Sequence, residues 1–304
     1  MPRPVRSPFH IRYFGSWVAL GLLRFLSFIP MPVLFYVGTV LGDLLYATLP
    51  SRKRIAERNL SLCFPELGAG EIRELARENI RNTARMALYS GFVWWASEEQ
   101  LKARVTIRNV EILDRLERDE RGFILLAPHF LALELGGVFI SLHSPGVSVY
   151  QRTRNPVFDR SMLRARQRFG ATLYERKDDL RPMFKAIRRG QGCYYLPDQD
   201  PGQRRAVFAP FFGVSTATWP VLGRISKLCA APVFPCATYL LPRGAGFEIV
   251  IGEPLDNFPA DTPEEDATLM NAAIQDCVAH NPSQYFWVHK RFKTRPPGEP
   301  SVYD

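Results

Sequence analysis

One histidine and one glutamate, five residues apart, are the side chains that most directly suggest chemistry in this chain. The apolar run GFILLAP is followed at once by His129, and Glu134 lies inside the next apolar run, FLALELGG. An imidazole at a strand end, with a carboxylate in the next turn, is the arrangement of a general base and the acid that orients it. The spacing H-x4-E therefore indicates acyl transfer. A core histidine beside a helical carboxylate would show the same spacing.

The elements around this pair must bring the two side chains together. The pattern predicts a buried strand over 123–127, stopped by Pro128, and a helix over 131–140. Residues five apart in one helix point about 140° apart, so the pair can meet only if His129 precedes the helix and Glu134 lies in its first turns. The proline favours this, because it disfavours a helical residue before it.

The composition describes a folded and basic protein. Its 304 residues are 46% hydrophobic and 23% charged, which suits a sizeable core and excludes a disordered chain. A net charge of +9 predicts an anionic partner. The five cysteines form no C-x-x-C pair and their number is odd, so we expect reduced structural thiols in a protein that faces the cytosol.

The first 50 residues are expected to anchor the protein to a membrane. Two apolar stretches, 15–29 and 31–49, are separated by Pro30 and flanked by arginines. Each is interrupted by a charge and is short of the roughly 20 apolar residues that a span needs. The anchor is therefore either one tilted span or a pair of helices in the headgroup layer, and a buried helical hairpin is the alternative. We divide the chain into an anchor over 1–50 and a catalytic domain over 51–304.

Beyond the anchor, predicted strands and helices alternate, which indicates an α/β fold with a central, mostly parallel sheet flanked by helices. Strands are expected at 105–108, 123–127, 147–151, 171–174, 193–196, 232–239 and 247–251. Helices are expected at 71–95, 110–118, 132–142, 157–168, 179–189, 217–228 and 262–279. Ligands of such sheets bind beyond the carboxyl ends of strands, where the sequence places both His129 and Asp198.

Residues 151–190 carry most of the positive charge of the chain. Twelve arginines and lysines in this segment stand against four acidic residues, a net charge of +8. Such a segment favours an anionic substrate or an acidic carrier protein, because the arginine fork suits phosphate and carboxylate. Nucleic acid is not expected as a partner, since no nucleic-acid-binding motif accompanies the charge.

Several blocks, in the same order, resemble the bacterial lipid A biosynthesis acyltransferases, the lauroyl/myristoyl transferase group of the lysophospholipid acyltransferase superfamily. The resemblance covers nearly the whole chain. The matching blocks are RNLSLCFPEL at 58–67, APHFLALELGG at 127–137, YERKDDLRPMFKAIRRGQ at 174–191, YYLPDQDPG at 194–202, FFGVSTATWPVLGRISKLCAAPVFPCA at 211–237 and PSQYFWVHKRFKTRPPG at 282–298.

This resemblance implies a glycerolipid-acyltransferase-like fold and an enzyme without metal or cofactor. The enzyme would move an acyl chain of lauroyl or myristoyl type from acyl carrier protein to a hydroxyacyl chain of a Kdo-containing lipid A precursor. It would act among phospholipids at the cytoplasmic face of the inner membrane. By the same resemblance His129 would be the general base and Glu134 would hold its tautomer. Arg176 would bind a phosphate or sugar acid of the acceptor, Asp198 would orient that arginine or a glucosamine hydroxyl, and Arg152 would be a further phosphate ligand.

Other interpretations of the same residues stay open. Arg176 could form a surface ion pair with Asp178, and Asp198 could be a turn residue ahead of Pro201. The acyl chain would end where its tunnel closes, which the sequence suggests is at the aromatic run 92–95. The rival functions are acyl transfer from acyl carrier protein or coenzyme A to another membrane lipid, and non-catalytic binding of an anionic glycolipid.

Overall fold

A seven-stranded sheet lies at the centre of the protein, in a computed structural model that describes residues 8–304. Helices flank the sheet, and two further strands form a separate hairpin. The α/β fold predicted from the sequence, with its mostly parallel sheet and helical N-terminal region, is confirmed. The first seven residues of the expected anchor lie outside the described residues.

The strands, in chain order, are β1 (Val105–Arg108), β2 (Phe123–Leu126), β3 (Val147–Tyr150), β4 (Thr172–Glu175), β5 (Gly192–Tyr195), β6 (Val207–Phe211), β7 (Val214–Thr218), β8 (Val233–Leu240) and β9 (Phe247–Ile251). The helices are α1 (Phe14–Leu26), α2 (Met31–Thr48), α3 (Pro50–Cys63), α4 (Ala69–Trp95), α5 (Glu98–Lys102), α6 (Glu111–Arg118), α7 (Leu133–His143), α8 (Pro156–Gln167), α9 (Arg181–Arg188), α10 (Val221–Cys229) and α11 (Pro263–His280).

The order of strands across the sheet is β1-β9-β8-β2-β5-β3-β4. Neighbouring strands are parallel except β8 and β9, which run antiparallel. The central strand β2 lies between β5 and β8, and its last residue, Leu126, pairs with Tyr195 of β5. Because β2 and β5 end side by side, the residues that follow them emerge at the same edge of the sheet.

The residues of β2 are buried on both faces of the sheet. All four, Phe-Ile-Leu-Leu, are at most 1% exposed. Ile124 and Leu126 belong to one hydrophobic core, whereas Phe123 and Leu125 belong to a second. This division follows from the strand period of two, which sends alternate side chains to opposite faces.

The hairpin of β6 and β7 is the main departure from the expected elements. The sequence predicted a helix from residue 217, but 214–218 is a strand and α10 begins at Val221. Phe212 and Gly213 join the two strands with φ values of 49° and 74°, as the two-residue turn of a tight hairpin requires. The strand sequence VSTAT is rich in β-branched residues, which favours this result.

The helix α4 connects the N-terminal helices to the rest of the protein. Both α1 and α2 pack against it. At Gly42 of α2 an added Cβ would lie 2.4 Å from the Cα of Arg81, and at Gly91 of α4 it would lie 2.0 Å from the carbonyl oxygen of Leu23. Glycine is therefore required at both positions, because the helix backbones touch there.

Gly42→Ala is expected to lower the free energy of unfolding by about 1–3 kcal/mol, because its methyl group must push α2 away from α4. Gly21→Ala is the matched control. No heavy atom lies within 4 Å of its added Cβ, so the better helix propensity of alanine should leave stability unchanged or raise it by up to about 1 kcal/mol. Thermal unfolding in detergent, followed by tryptophan fluorescence, measures both. Equal effects of the two substitutions would contradict this helix contact.

Candidate active site

His129 lies in the loop between β2 and α7 and is held at two points by one carboxylate. Its Nδ1 is 2.5 Å from Oδ1 of Asp198, and its backbone N–H donates to Oδ2 at 2.8 Å. Because a carboxylate can only accept, Nδ1 must carry a hydrogen. The Nε2 atom is then the basic nitrogen of the neutral ring.

Asp198 is the buried group on which this geometry depends. It follows β5, is 1% exposed, and accepts a third hydrogen bond from the Tyr285 hydroxyl at 2.8 Å. Burial alone would raise the pKa of this carboxyl. The positive charge of His129 in its protonated form, the hydrogen bonds from His129 and the bond from Tyr285 outweigh burial and lower the pKa of Asp198 to about 2. The group therefore stays ionised and keeps His129 in one tautomer.

A segment near the C-terminus, residues 282–294, pairs with the loop that carries the histidine, and we call it the closing segment. The N–H of Phe286 donates to the carbonyl of His129 at 3.0 Å, and the N–H of Leu131 donates to the carbonyl of Gln284 at 2.9 Å. These two bonds flank residue 285 and place its tyrosine against the buried carboxylate.

Two asparagines fix the closing segment to the helices α3 and α4. The side-chain amide of Asn59 donates to the carbonyls of Trp287 and His289 at 2.7 and 2.8 Å. The amide of Asn79 donates to the carbonyl of Tyr285 at 2.6 Å. Both asparagines are fully buried, so these bonds satisfy groups that would otherwise cost stability.

Glu134 lies in the first turn of α7 and is bound by Arg166 of α8. The Nε of Arg166 is 3.0 Å from both carboxylate oxygens, and its Nη2 is 2.5 Å from Oε2. We expected Glu134 to hold the tautomer of His129, and that expectation is corrected here. Asp198 makes the contact with Nδ1, because the adjacent parallel strand ends directly beside the histidine loop.

The expected role of Asp198 is corrected as well. The sequence suggested that it orients Arg176 or a sugar hydroxyl, or that it is a turn residue, but its two oxygens bind His129 and Tyr285. The side chain is buried and is not part of the cavity lining, so it contacts the imidazole and does not face the cavity.

A cavity of about 850 Å³ opens beside His129 and Glu134. One face of α7 and the turn after it form a long wall, through Leu133, Glu134, Gly137, Ile140, Ser141 and Ser144. The spacing of three and four residues places these side chains on one side of the helix. Apolar residues of the strands and of two helices line other walls, among them Phe123, Leu125, Met183, Phe184 and Ile225. The aromatic run 92–95, expected to close a tunnel, is not part of this lining.

The two arginines predicted to bind anions lie in different places. Arg176 lines the cavity, with its guanidinium 5.6 Å from the ring centroid of Trp219, which also lines it. Arg152 is exposed on the surface, next to the lining residue Gln151, and its Nη2 is 3.5 Å from Oε2 of Glu175. Only Arg176 therefore reaches the cavity wall.

Sequence reasoning missed Arg166 and Tyr285 as members of the site. Arg166 was one of twelve cations in a basic segment, and no spacing separated it from the others. Tyr285 stood in the closing block, more than 150 residues after the histidine. Their partners become visible only when α8 and the closing segment are placed beside the strand ends.

The profile of one protein family, bacterial lipid A biosynthesis acyltransferase, matches residues 5–294. The chain is similar to a lipid A biosynthesis lauroyltransferase of Escherichia coli (strain K12), with 33% identity over 100% of this chain and 99% of that protein. It is also similar to a palmitoleoyltransferase of lipid A biosynthesis from the same strain, at 31% identity over 98% and 97% of the two chains. A lipid A biosynthesis myristoyltransferase of that strain is 30% identical over 97% and 91%.

Asp198→Asn is expected to change how stability depends on pH. The folded-state pKa of Asp198 is about 2, below the ordinary 3.8, so the ionised carboxylate stabilises the folded state by about 2 kcal/mol above roughly pH 4. This contribution is lost as the pH falls toward 2. The thermal midpoints of wild type and variant should differ above pH 4 and converge below it, in a fluorescence-monitored melt at each pH.

Asp114→Asn is the matched control, since Asp114 also binds a histidine ring, Nε2 of His143 at 2.9 Å, but is exposed. Its melting curves should follow those of the wild type. A gap between wild type and Asp198→Asn that stays constant down to pH 2 would contradict the lowered pKa.

Proposed function

Because the chain belongs to the bacterial lipid A biosynthesis acyltransferase family, we propose that it moves a fatty acyl chain from acyl carrier protein to a hydroxyacyl chain of a Kdo-containing lipid A precursor. The transferred chain is of lauroyl or myristoyl type. The observation that carries the proposal is the His129–Asp198 pair beside a long, largely apolar cavity. The thioester donor supplies an activated carbonyl, so the proposed reaction needs no cofactor.

His129 is the general base of the proposed reaction. Nε2 takes the proton of the acceptor hydroxyl as its oxygen attacks the thioester carbonyl. The new C–O bond forms, the C–S bond breaks, and the proton passes from the imidazolium to the departing thiolate. The ionised carboxylate of Asp198, 2.5 Å from Nδ1, stabilises the imidazolium that forms between these steps.

Glu134 acts together with His129 by binding the acceptor substrate. The carboxylate lines the same cavity and is held in place by Arg166. A carboxylate has about four acceptor positions, so Glu134 can accept one more hydrogen bond while it binds the arginine. We assign it to accept from a second N–H or O–H group of the acceptor, so that the reacting hydroxyl keeps its single hydrogen for Nε2.

The acyl chain occupies the cavity along α7. From Glu134 to Ser144 the lining advances by ten residue positions, about 15 Å at the rise of a helix. Burial of each CH2 contributes about 0.8 kcal/mol, so a largely apolar cavity of this length favours a saturated chain strongly. In this proposal the thioester carbonyl lies at the His129 end, and the methyl end lies near Ser141 and Ser144.

The charged groups of the substrates meet the basic residues around the cavity. Arg176 binds a phosphate or a sugar acid of the acceptor, since its guanidinium stands on the cavity wall. Arg152, on the surface beside Gln151, is a second phosphate ligand. The exposed cations among the rest of residues 151–190 form the surface that receives the acidic carrier protein.

The protein acts at the cytoplasmic face of the inner membrane, among its phospholipids. The helix Met31–Thr48 is long and apolar enough to cross a membrane, and it lies in the region assigned to the anchor, residues 1–50. Residues 51–304 are the catalytic domain, which faces the cytoplasm because the carrier protein is found there.

His129→Ala is expected to lower acyl transfer by roughly 10²–10⁴-fold, the usual contribution of a positioned base. The assay uses purified protein, acyl carrier protein thioesters and a Kdo-containing precursor, with mass spectrometry of the lipid product. The control is His143→Ala, because this histidine also pairs with a carboxylate but does not line the cavity. A folded His129→Ala protein with wild-type transfer would contradict the role of His129 as the general base. A wild-type protein that binds the glycolipid precursor but transfers no acyl chain would favour the glycolipid-binding role.

Ser141→Leu is expected to shorten the preferred acyl chain. Ser141 lines the cavity about two turns of α7 beyond Glu134, so the larger side chain occupies space that the methyl end would use. Each CH2 that no longer fits costs about 0.8 kcal/mol, roughly fourfold in selectivity. Competition between thioesters of several lengths, read as product masses, measures the shift.

Ser61→Leu is the control for this experiment, since Ser61 is exposed on α3 and outside the cavity lining. It should leave the product pattern unchanged. An unchanged chain preference in an active Ser141→Leu enzyme would contradict the proposed position of the methyl end.

A further inference from the structure

Exposed apolar side chains are concentrated at one end of this protein. Among residues 8–304, the large apolar side chains that are exposed lie between Phe9 and Leu49, with Leu228 as the exception. On α1 they are Phe14, Trp17, Val18, Leu22 and Phe25, and on α2 they are Val33, Tyr36, Val37, Val40 and Leu44. Spacings of three and four residues place each set in one stripe along its helix. Apolar stripes of this size indicate an interaction surface.

The opposite face of α2 is fixed to α4 along the length of the helix. Its buried residues are Met31, Leu34, Gly38 and Gly42. An added Cβ at Gly38 would lie 2.9 Å from the Cα of Arg85, and one at Gly42 would lie 2.4 Å from the Cα of Arg81. The two helices are therefore in backbone contact, and α2 cannot take an orientation independent of α4.

The contact between α2 and α4 contains a network of charges. Asp43 of α2 accepts from the Nε atoms of Arg77 and Arg81, each at 2.7 Å. Arg85 binds Glu78 at 2.5 Å, and the side chain of Glu78 is 33% exposed. A transmembrane α2 would carry these ionised groups of α4 into the hydrocarbon, where charges are strongly disfavoured.

We infer that α1 and α2 lie in the plane of one leaflet, with their apolar stripes in the acyl layer and their opposite faces on the protein. The partner that covers these stripes is an anionic phospholipid bilayer. Exposed arginines support this choice: Arg24 lies 4.7 Å from the ring of Phe28, and Arg52, Arg54 and Arg58 follow α2. Long cationic side chains at the edge of an apolar face reach the lipid phosphates.

The inserted helices contact the rim of the active-site cavity. The side-chain amide of Asn155, at the start of α8, donates to the hydroxyl of Ser16 in α1 at 2.7 Å. Two residues earlier, Thr153 lines the cavity. An in-plane α1 therefore holds the cavity opening at the surface of the leaflet, where a lipid acceptor can enter from the side. This inference specifies how the proposed membrane anchor is oriented. Only the entry of a lipid acceptor rests on the proposed function.

The depth of α2 in a bilayer distinguishes an in-plane helix from a spanning one. Single cysteines are introduced as Val33→Cys, Val37→Cys, Val40→Cys or Leu44→Cys, in a full chain that carries Cys277→Ser because the other four native cysteines are buried. Each is labelled with an environment-sensitive fluorophore in vesicles of phosphatidylethanolamine and phosphatidylglycerol. Quenching by lipids brominated at different depths then locates each label.

We expect all four labels at one shallow depth. A spanning helix would instead place the labels at positions 33 and 44 at depths about 16 Å apart, at 1.5 Å per residue, and that result would overturn the inference. Labels that no brominated lipid quenches would overturn it as well, since the stripe would then lie outside the membrane.

Vesicle flotation tests whether the apolar stripes of α1 and α2 bind lipid. Val40→Asp should reduce binding to the same vesicles at least tenfold, whereas Leu228→Asp, the same change at the exposed apolar residue outside these helices, should bind like wild type. The variants must keep the wild-type melting temperature in detergent. Wild-type vesicle binding by Val40→Asp, or a dimer in detergent that this substitution separates, would overturn the assignment to lipid.

Neither experiment requires acyl transfer, so an inactive but membrane-bound protein would refute the proposed function and leave this inference intact.

Discussion

The buried carboxylate of Asp198 is the constraint on which the site depends. A single negative charge at 1% exposure is tolerated only when hydrogen-bond donors compensate it, and here three donors come from two distant parts of the chain. His129 gives its backbone N–H and its Nδ1 hydrogen, and Tyr285 gives its hydroxyl. The requirement to compensate this charge therefore fixes the histidine loop, the end of β5 and the closing segment relative to one another.

The helix α7 combines the two tasks that the proposed chemistry requires. Its first turn carries Glu134, held by Arg166, and its remaining length forms one wall of the largely apolar cavity. Because the loop before α7 carries His129, the proposed base, one short stretch of sequence supplies both this residue and the wall proposed to hold the acyl chain. The carboxylate that contacts His129, Asp198, comes from elsewhere, since the adjacent parallel strand reaches the same edge of the sheet.

The helix α4 packs against the hydrophobic cores on one side and forms ion pairs near α2 on the other. Towards the domain it contributes Ala76 to one hydrophobic core and Tyr89 to the other, where apolar contact stabilises the fold. Towards α2 it presents Arg81 and Arg85, which are satisfied by Asp43 and Glu78. One helix thus fixes the N-terminal helices relative to the sheet. The hydrogen bond from Asn155 to Ser16 makes a second connection at the cavity rim.

The sequence alone determined the features that depend on local patterns. The apolar run of β2, stopped by Pro128, predicted a buried strand with His129 beyond its end. The spacing of apolar residues separated strands from helices through most of the chain. It failed at the hairpin of β6 and β7, where two residues with positive φ make a turn that no helix pattern reveals. The partner of His129 was decided by tertiary structure, because the spacing of five suggested Glu134 while the strand order brought Asp198 beside the ring. Strand order and the path of the C-terminal segment are set by the packing of the whole chain, and residues that lie far apart in sequence therefore meet in ways that no local pattern encodes.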